Sequence, residues 1–304
     1  MKEIAVGFGP DRRLLGIITS HNSIIPISNV PGVLLWNAGI LHKVGPFRLF
    51  VDLARSLGEL GFPVFRFDVS GKGDSESSKE TLLEKERALK DIQMAMDLLS
   101  DKKGVKNFVL IGSCSGADEA FEVATVHPRV TGLILLDGFG YRTIGYYLHH
   151  YGLRIFKLGV WRSFLKNKIG AVVNAISSGG KGKFERGNIF IREFPPKKVN
   201  EDRLRLLVAR EVNLFFVYSG GVEEYYSYRN QFRDMFKKLD FGGRITVEYF
   251  REAGHTYPGV ASRIKLITGI CDWMICHYRG TEGNALPAFG ESGLSQTRTA
   301  ESVL

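Results

Sequence analysis

The stretch from Phe108 to Val126 constrains the fold more than any other part of this sequence. Four apolar residues, 108–111, predict a buried β-strand, and apolar positions at helical spacing after Ala117 predict an amphipathic helix. Residues 112–116, with the sequence GSCSG, join the two. Glycines at both ends allow a sharp turn and a close approach of helix to strand. We therefore expect the middle residue, Cys114, to adopt a strained conformation at the top of a sheet.

The pattern Gly-x-Cys-x-Gly in this context is typical of a nucleophile elbow, the turn that exposes a reactive side chain above a sheet. Here cysteine takes the position that the common pattern gives to serine. Two structural interpretations compete with the catalytic one. Cys114 could be an inert thiol, since free cysteine is among the most buried residue types. The two glycines could also mark an ordinary turn between a strand and a helix.

Strands and helices alternate along most of the chain, which predicts βαβ units and a mostly parallel sheet flanked by helices. Two antiparallel strands are expected within residues 4–30. Further buried strands are expected at 32–40, 64–69, 130–137, 212–218 and 245–250. Amphipathic helices are expected at 46–60, 80–99, 226–238 and 261–278. The fold class expected from this order is α/β.

The alternation breaks between residues 141 and 210, which are rich in tyrosine, histidine, lysine and arginine. A helical pattern over 148–176 predicts a helical cap inserted between two parts of an α/β core, 1–140 and 211–279. Aromatic residues of such a cap would line a pocket. A peripheral helical subdomain without a binding role is the alternative. Residues 280–304 are polar and rich in glycine, serine and threonine, which predicts a disordered tail.

Composition excludes several classes of protein. The chain has 304 residues, a formal net charge of +9 and only three cysteines, whose spacing indicates neither disulfides nor a metal site. We expect a reducing, cytoplasmic location, no transmembrane segment and no signal peptide. No cofactor and no nucleic-acid partner is expected. The positive charge would favour an anionic substrate such as a coenzyme A ester. The oligomeric state is not indicated.

The order of these features resembles the α/β-hydrolase superfamily, in which nucleophile, acid and histidine follow one another along the chain. The resemblance extends over residues 4–278. More narrowly, residues 37–48, 67–75 and 137–143 are similar to hydrolases found with exosortase and exopolysaccharide gene clusters. The resemblance implies an α/β-hydrolase fold and acyl chemistry by covalent catalysis. The superfamily also includes lyases, transferases and inactive proteins.

The resemblance assigns Cys114 as the nucleophile and His255, which follows the last core strand, as its base. The acid that orients the histidine stays open. Glu223 is favoured because it follows Gly220 at the family's Gly-x-x-Asp spacing. Its neighbour Glu224 and Asp137, at the end of an earlier strand, are alternatives. The two glutamates could also be an exposed pair in a turn.

An oxyanion hole needs two backbone N–H groups directed at the developing negative charge. The resemblance implies that the amide of Ser115, the residue after the nucleophile, is one of them. The amide of Ile40 would be the other, although Ala38-Gly39 replaces the family's His-Gly in that loop. Arg48 and Asp74 are interpreted as structural ties of their loops.

Three functions follow from these expectations. The first is hydrolysis of an ester, thioester or lactone through an acyl-cysteine intermediate. The second uses the same site for acyl transfer, or for elimination without a covalent step, and cysteine favours transfer because a thioester passes readily to an amine, thiol or alcohol. The third is a non-catalytic binding protein on the same fold.

Overall fold

The structure is a computed structural model that describes residues 1–21, 30–36, 39, 41–78, 80–155 and 194–279. Eight strands and seven α-helices are found in this part of the chain. The strands are β1 (Lys2–Phe8), β2 (Leu14–Ser20), β3 (Gly32–Trp36), β4 (Val64–Phe67), β5 (Phe108–Ser113), β6 (Val130–Leu136), β7 (Asn213–Ser219) and β8 (Ile245–Phe250). The helices are α1 (Leu49–Glu59), α2 (Glu84–Lys103), α3 (Ser115–Val126), α4 (Ile144–Ile155), α5 (Lys197–Ala209), α6 (Gln231–Met235) and α7 (Val260–Tyr278).

All eight strands belong to one sheet with the order β1-β2-β4-β3-β5-β6-β7-β8. β1 and β2 pair antiparallel, and β2 pairs antiparallel with β4. Every other neighbouring pair is parallel. This arrangement confirms the expected α/β fold. Because β5, β6, β7 and β8 are parallel neighbours, the residues that follow them meet at one edge of the sheet.

Each face of the sheet has its own hydrophobic core. On one face, α1 and α7 pack with buried side chains such as Leu53, Leu57 and Ile270. On the other face, α2, α3 and α5 contribute Ile92, Phe121 and Leu207. The central strands are apolar on both faces because helices cover both sides of the sheet, which explains the continuous apolar runs in the sequence. Among the described helices, none has the length and hydropathy that crossing a membrane requires.

The helix expected over 226–238 forms only in its middle, since α6 covers Gln231–Met235. The ring of Tyr226 stacks on that of Tyr218 with centroids 3.7 Å apart. The backbone N–H of Ser227 donates to the Gln231 side chain over 2.8 Å. These two contacts hold the segment that precedes α6 as a turn. In a helix, the Tyr226 ring and the Ser227 N–H would point in other directions. The helix expected at 80–99 is also displaced, since α2 begins at Glu84 and ends at Lys103.

The cap expected at 141–210 is described only at its two ends. Residues 156–193, which include most of the helix expected over 148–176, lie outside the described residues, as does the expected tail at 280–304. At the C-terminal end of the expected cap, α5 packs into the core through the fully buried Leu204 and Leu207. The Arg210 side chain donates to the carbonyls of Ala124 and His127 at the end of α3. The cap and its boundaries stay a prediction.

Candidate active site

The turn between β5 and α3 has the geometry of a nucleophile elbow. Cys114 lies between these elements with φ 53° and ψ −121°, a backbone conformation that residues other than glycine rarely adopt. Its N–H donates to the Leu136 carbonyl over 2.9 Å, and its carbonyl accepts from Ala117 over 3.0 Å. A Cβ atom on Gly112 would lie 2.2 Å from the Gly116 oxygen, so the close packing of strand and helix requires glycine there. Cys114 is half-buried.

His255 connects Cys114 to a carboxylate. Its Nδ1 lies 2.8 Å from Oδ2 of Asp137, and its side chain is also hydrogen-bonded to Cys114. The hydrogen bond with Asp137, followed by that with Cys114, raises the pKa of His255 from 6.5 to about 10. The imidazole is therefore protonated at neutral pH. Because opposite charges favour each other's ionised form, this imidazolium favours the thiolate of Cys114.

Asp137 is held rigidly beneath His255. It follows β6 with φ 51° and its side chain is fully buried. Oδ1 accepts the Ser219 backbone N–H over 2.6 Å, and Oδ2 accepts the Ser219 hydroxyl over 2.8 Å. With His255, three donors satisfy this buried carboxylate, as a buried charge requires. Because Nδ1 of His255 is bound to Asp137, Nε2 is the nitrogen that faces Cys114.

The expectation that Glu223 contacts the histidine needs correction. Both Glu223 and its neighbour Glu224 are exposed, and their backbone carbonyls accept hydrogen bonds from Tyr146. Within the described part of the chain, neither carboxylate bonds to His255. The 3₁₀ turn Gly220–Val222 buries Val222 and leaves the Glu223 side chain exposed, whereas Asp137 is fully buried after β6 and lies 2.8 Å from Nδ1 of His255. The carboxylate that contacts His255 is that of Asp137, the alternative acid at the end of β6.

Two features of this site were missed by sequence analysis. One is Ser219, whose amide and hydroxyl both hold Asp137. The other is the Gly220-Gly221 pair, on which the loop carrying His255 rests. A Cβ on Gly220 would lie 1.9 Å from the Arg251 oxygen, and one on Gly221 would lie 2.2 Å from the His255 nitrogen. A glycine pair directly after a buried strand is the signal that could have indicated this close approach.

Substitution of Gly221 by alanine is expected to move His255 away from Asp137 and Cys114. The added methyl group meets backbone, which cannot rotate aside. We expect iodoacetamide to alkylate Cys114 at neutral pH at least about tenfold more slowly in this variant, because the thiolate loses its imidazolium partner. Gly269→Ala on α7 is the matched control, since its added Cβ has no neighbour within 4 Å. Equal slowing in both variants would contradict the positional role of Gly221.

The oxyanion hole expected at Ser115 and Ile40 is described only in part. Ser115 is the first residue of α3, where backbone N–H groups have no acceptor within the helix. Ile40 lies outside the described residues. Its neighbour Gly39 is described, and the Gly39 N–H donates to the Ser115 hydroxyl over 3.0 Å. The loop that follows β3 is thereby joined to the elbow.

A buried ion pair ties this loop to the one that follows β4. Lys43 is 5% exposed, its Nζ lies 2.8 Å from Oδ2 of the fully buried Asp68, and it also contacts Asp74. The backbone N–H of Lys43 donates to Oδ1 of Asp68 over 2.6 Å. His42, Asp68 and Asp74 have the ligand spacing of a cation site, and the Lys43 ammonium serves as its cation. Asp74 thus forms the structural tie that its motif indicated.

Comparison with known proteins agrees with this architecture. Residues 45–139 match the family described as serine aminopeptidase, S33. No match is found among curated proteins. A serine hydrolase without a lid from Xanthomonas campestris is similar over 90% of this chain and 93% of its own, with a TM-score of 0.51 and 14% identity. The described chain has the α/β-hydrolase fold.

Two further solved structures share this α/β-hydrolase fold. A meta-cleavage product hydrolase from Pseudomonas fluorescens aligns over 89% of this chain and 96% of its own, with a TM-score of 0.52 and 14% identity. A serine hydrolase homologue from Coxiella burnetii aligns over the same shares, with a TM-score of 0.52 and 15% identity. Two of these three relatives are described as serine hydrolases, whereas cysteine stands at the elbow of this chain. At such low identity the likeness shows the fold alone.

Proposed function

We propose that this α/β-hydrolase-fold protein is an acyl hydrolase that acts on an ester, thioester or lactone through an acyl-Cys114 intermediate. His255 and Asp137 complete the triad. The observation that carries this proposal is the continuous series of contacts from Cys114 through His255 and Asp137 to Ser219. These four residues follow or end the neighbouring parallel strands β5, β6, β7 and β8. A non-catalytic binding protein would have no need for a strained cysteine bonded to a histidine of raised pKa.

In the proposed reaction, the Cys114 thiolate attacks the acyl carbon, and the carbonyl electron pair moves onto oxygen. The Ser115 amide stabilises this oxyanion. When the carbonyl reforms, the bond to the leaving group breaks, and that group takes the Nε2 proton of His255. Water then attacks the thioester while neutral His255 accepts its proton, and the acid product leaves with Cys114 again a thiolate. Asp137 stabilises the imidazolium before His255 gives up its proton and again after it accepts one from water.

Acyl transfer is the second candidate, favoured by the cysteine at the elbow. A thioester intermediate reacts readily with amines, thiols and alcohols as well as with water. Both reactions use the same residues and differ only in the acceptor. Mass spectrometry of the products formed from p-nitrophenyl butyrate with and without added hydroxylamine, glycine or ethanol therefore distinguishes hydrolysis from transfer. We also propose that the protein is cytoplasmic and that it is related to the hydrolases found with exosortase gene clusters.

The proposal is tested by the pH dependence of Cys114 alkylation with iodoacetamide, read by mass spectrometry. The pKa of His255 is raised to about 10, so its imidazolium persists across the neutral range and is lost only as pH rises through that value. We expect Cys114 to react at least about tenfold faster near pH 7 than an ordinary thiol of pKa about 8.5, with little further increase up to about pH 9.

The other two cysteines are internal controls in the same digest. Burial raises the pKa of Cys271 to about 12, so it should stay unmodified, whereas the exposed Cys276 should react as an accessible thiol. His255→Ala should abolish the advantage of Cys114, and replacement of the exposed His21 by alanine should preserve it. A Cys114 that reacts no faster than Cys276, or that is unaffected by loss of His255, would remove the support for covalent catalysis.

A further inference from the structure

The hydroxyl of Ser115 joins the elbow to the loop that follows β3. Ser115 follows the nucleophile directly and begins α3, and its Oγ accepts the Gly39 N–H over 3.0 Å. Gly39 has φ +55°, a conformation that favours glycine and that presents its N–H to the elbow. The Gly39 amide is therefore already used by this side chain and is not free to bind an oxyanion.

A hydroxyl that accepts one hydrogen bond still has its own hydrogen to donate. Among the described residues, no acceptor receives the hydrogen of the Ser115 hydroxyl, and the side chain is half-buried. The same residue supplies the backbone N–H expected to bind the oxyanion. The amide and the hydroxyl hydrogen of Ser115 are thus available on one residue beside Cys114.

We propose that the Ser115 hydroxyl is the second donor of the oxyanion hole, oriented by the Gly39 N–H. This inference rests on the proposed acyl chemistry. As Cys114 attacks, charge develops on the former carbonyl oxygen, which receives the Ser115 N–H and O–H together. Side-chain hydroxyls serve as oxyanion donors in other enzymes. The hydrogen bond from the Gly39 N–H polarises the Ser115 hydroxyl, because hydrogen bonds in series strengthen one another. Gly39 acts here as a positioning residue.

The proposal is tested by steady-state hydrolysis of p-nitrophenyl butyrate in Ser115→Ala and Ser115→Thr. Removal of an oxyanion donor acts on the transition state, so Ser115→Ala should lower kcat about 10²- to 10³-fold with KM little changed. Ser115→Thr keeps the hydroxyl and should retain most of the activity. Ser113→Ala, on the opposite side of Cys114 in β5, is the matched control and should keep kcat within a few-fold of the wild-type value.

Alkylation of Cys114 by iodoacetamide separates this proposal from the proposed function. Alkylation needs the thiolate but forms no oxyanion, so Ser115→Ala should alkylate at the wild-type rate while its ester hydrolysis falls. Wild-type hydrolysis by Ser115→Ala, a raised KM with unchanged kcat, or a parallel loss of alkylation would each overturn the role of the hydroxyl. The first two outcomes leave the triad unaffected, whereas a parallel loss of alkylation would show that Ser115 acts on the Cys114 thiolate and not on the oxyanion. Alkylation independent of His255 would instead contradict the triad itself.

Discussion

Replacement of Asp137 by asparagine is expected to lower kcat for p-nitrophenyl butyrate about 10³- to 10⁴-fold while the fold is retained. The Ser219 N–H requires an oxygen opposite it, so the asparagine oxygen takes the Oδ1 position. The amide NH₂ then faces His255, whose Nδ1 must accept instead of donate. That places the imidazole hydrogen on Nε2 in the neutral form and removes the main cause of the raised pKa of His255.

Glu223→Gln is the matched control for this experiment, since it makes the same chemical change in the acid that sequence spacing favoured. Glu223 is exposed, so we expect kcat within about twofold of wild type. Far-ultraviolet circular dichroism checks that the Asp137→Asn variant keeps its secondary structure. If Glu223→Gln were the inactive variant and Asp137→Asn the active one, the acid assignment would be reversed.

Replacement of Lys43 by methionine is expected to have the largest effect on stability, lowering the free energy of unfolding by about 3–5 kcal/mol. Methionine fills similar volume but leaves Asp68 charged, fully buried and without its ammonium partner. Asp74 loses the contact that contributes most to its lowered pKa, although its side chain is 55% exposed and can be solvated. Urea denaturation followed by tryptophan fluorescence measures the change.

Lys198→Met provides the comparison, because Lys198 forms an exposed ion pair with Asp202 over 2.8 Å on α5. We expect no resolvable change in the free energy of unfolding there, because solvent screens an exposed ion pair. Adding Asp68→Asn to Lys43→Met removes the stranded charge and should recover part of the lost stability. A loss below about 1 kcal/mol for Lys43→Met alone would mean that water reaches Asp68 in the folded protein.

The cysteine elbow and the histidine after the last strand were predictable because their signals are local. A buried strand, two glycines and an amphipathic helix adjoin one another in the sequence, so Cys114 had to stand at a strand end. Alternating strands and helices likewise predicted the parallel sheet, which the structure confirms. The helix expected at 226–238 failed because stacking of Tyr226 on Tyr218 overrides the helical pattern of its segment.

The choice of acid needed the tertiary structure. From spacing alone, Glu223 matched better than Asp137, because spacing does not show whether a side chain after a strand is buried or exposed. The turn after β7 leaves Glu223 exposed, whereas Asp137 is buried after β6, where His255 and Ser219 both contact its carboxylate. The link from Lys43 to Asp68 and that from Gly39 to Ser115 also join residues far apart in sequence.

The sequence by itself determined the strand–turn–helix elbow, the cysteine within it and the α/β architecture, since these depend on periodicity and glycine over short distances. Only the tertiary structure decided that His255 contacts Asp137, that Ser219 holds this carboxylate and that Ser115 accepts from Gly39. These contacts form between loops that meet at the edge of the sheet. Their partners are set by strand order and loop packing, which no local pattern encodes.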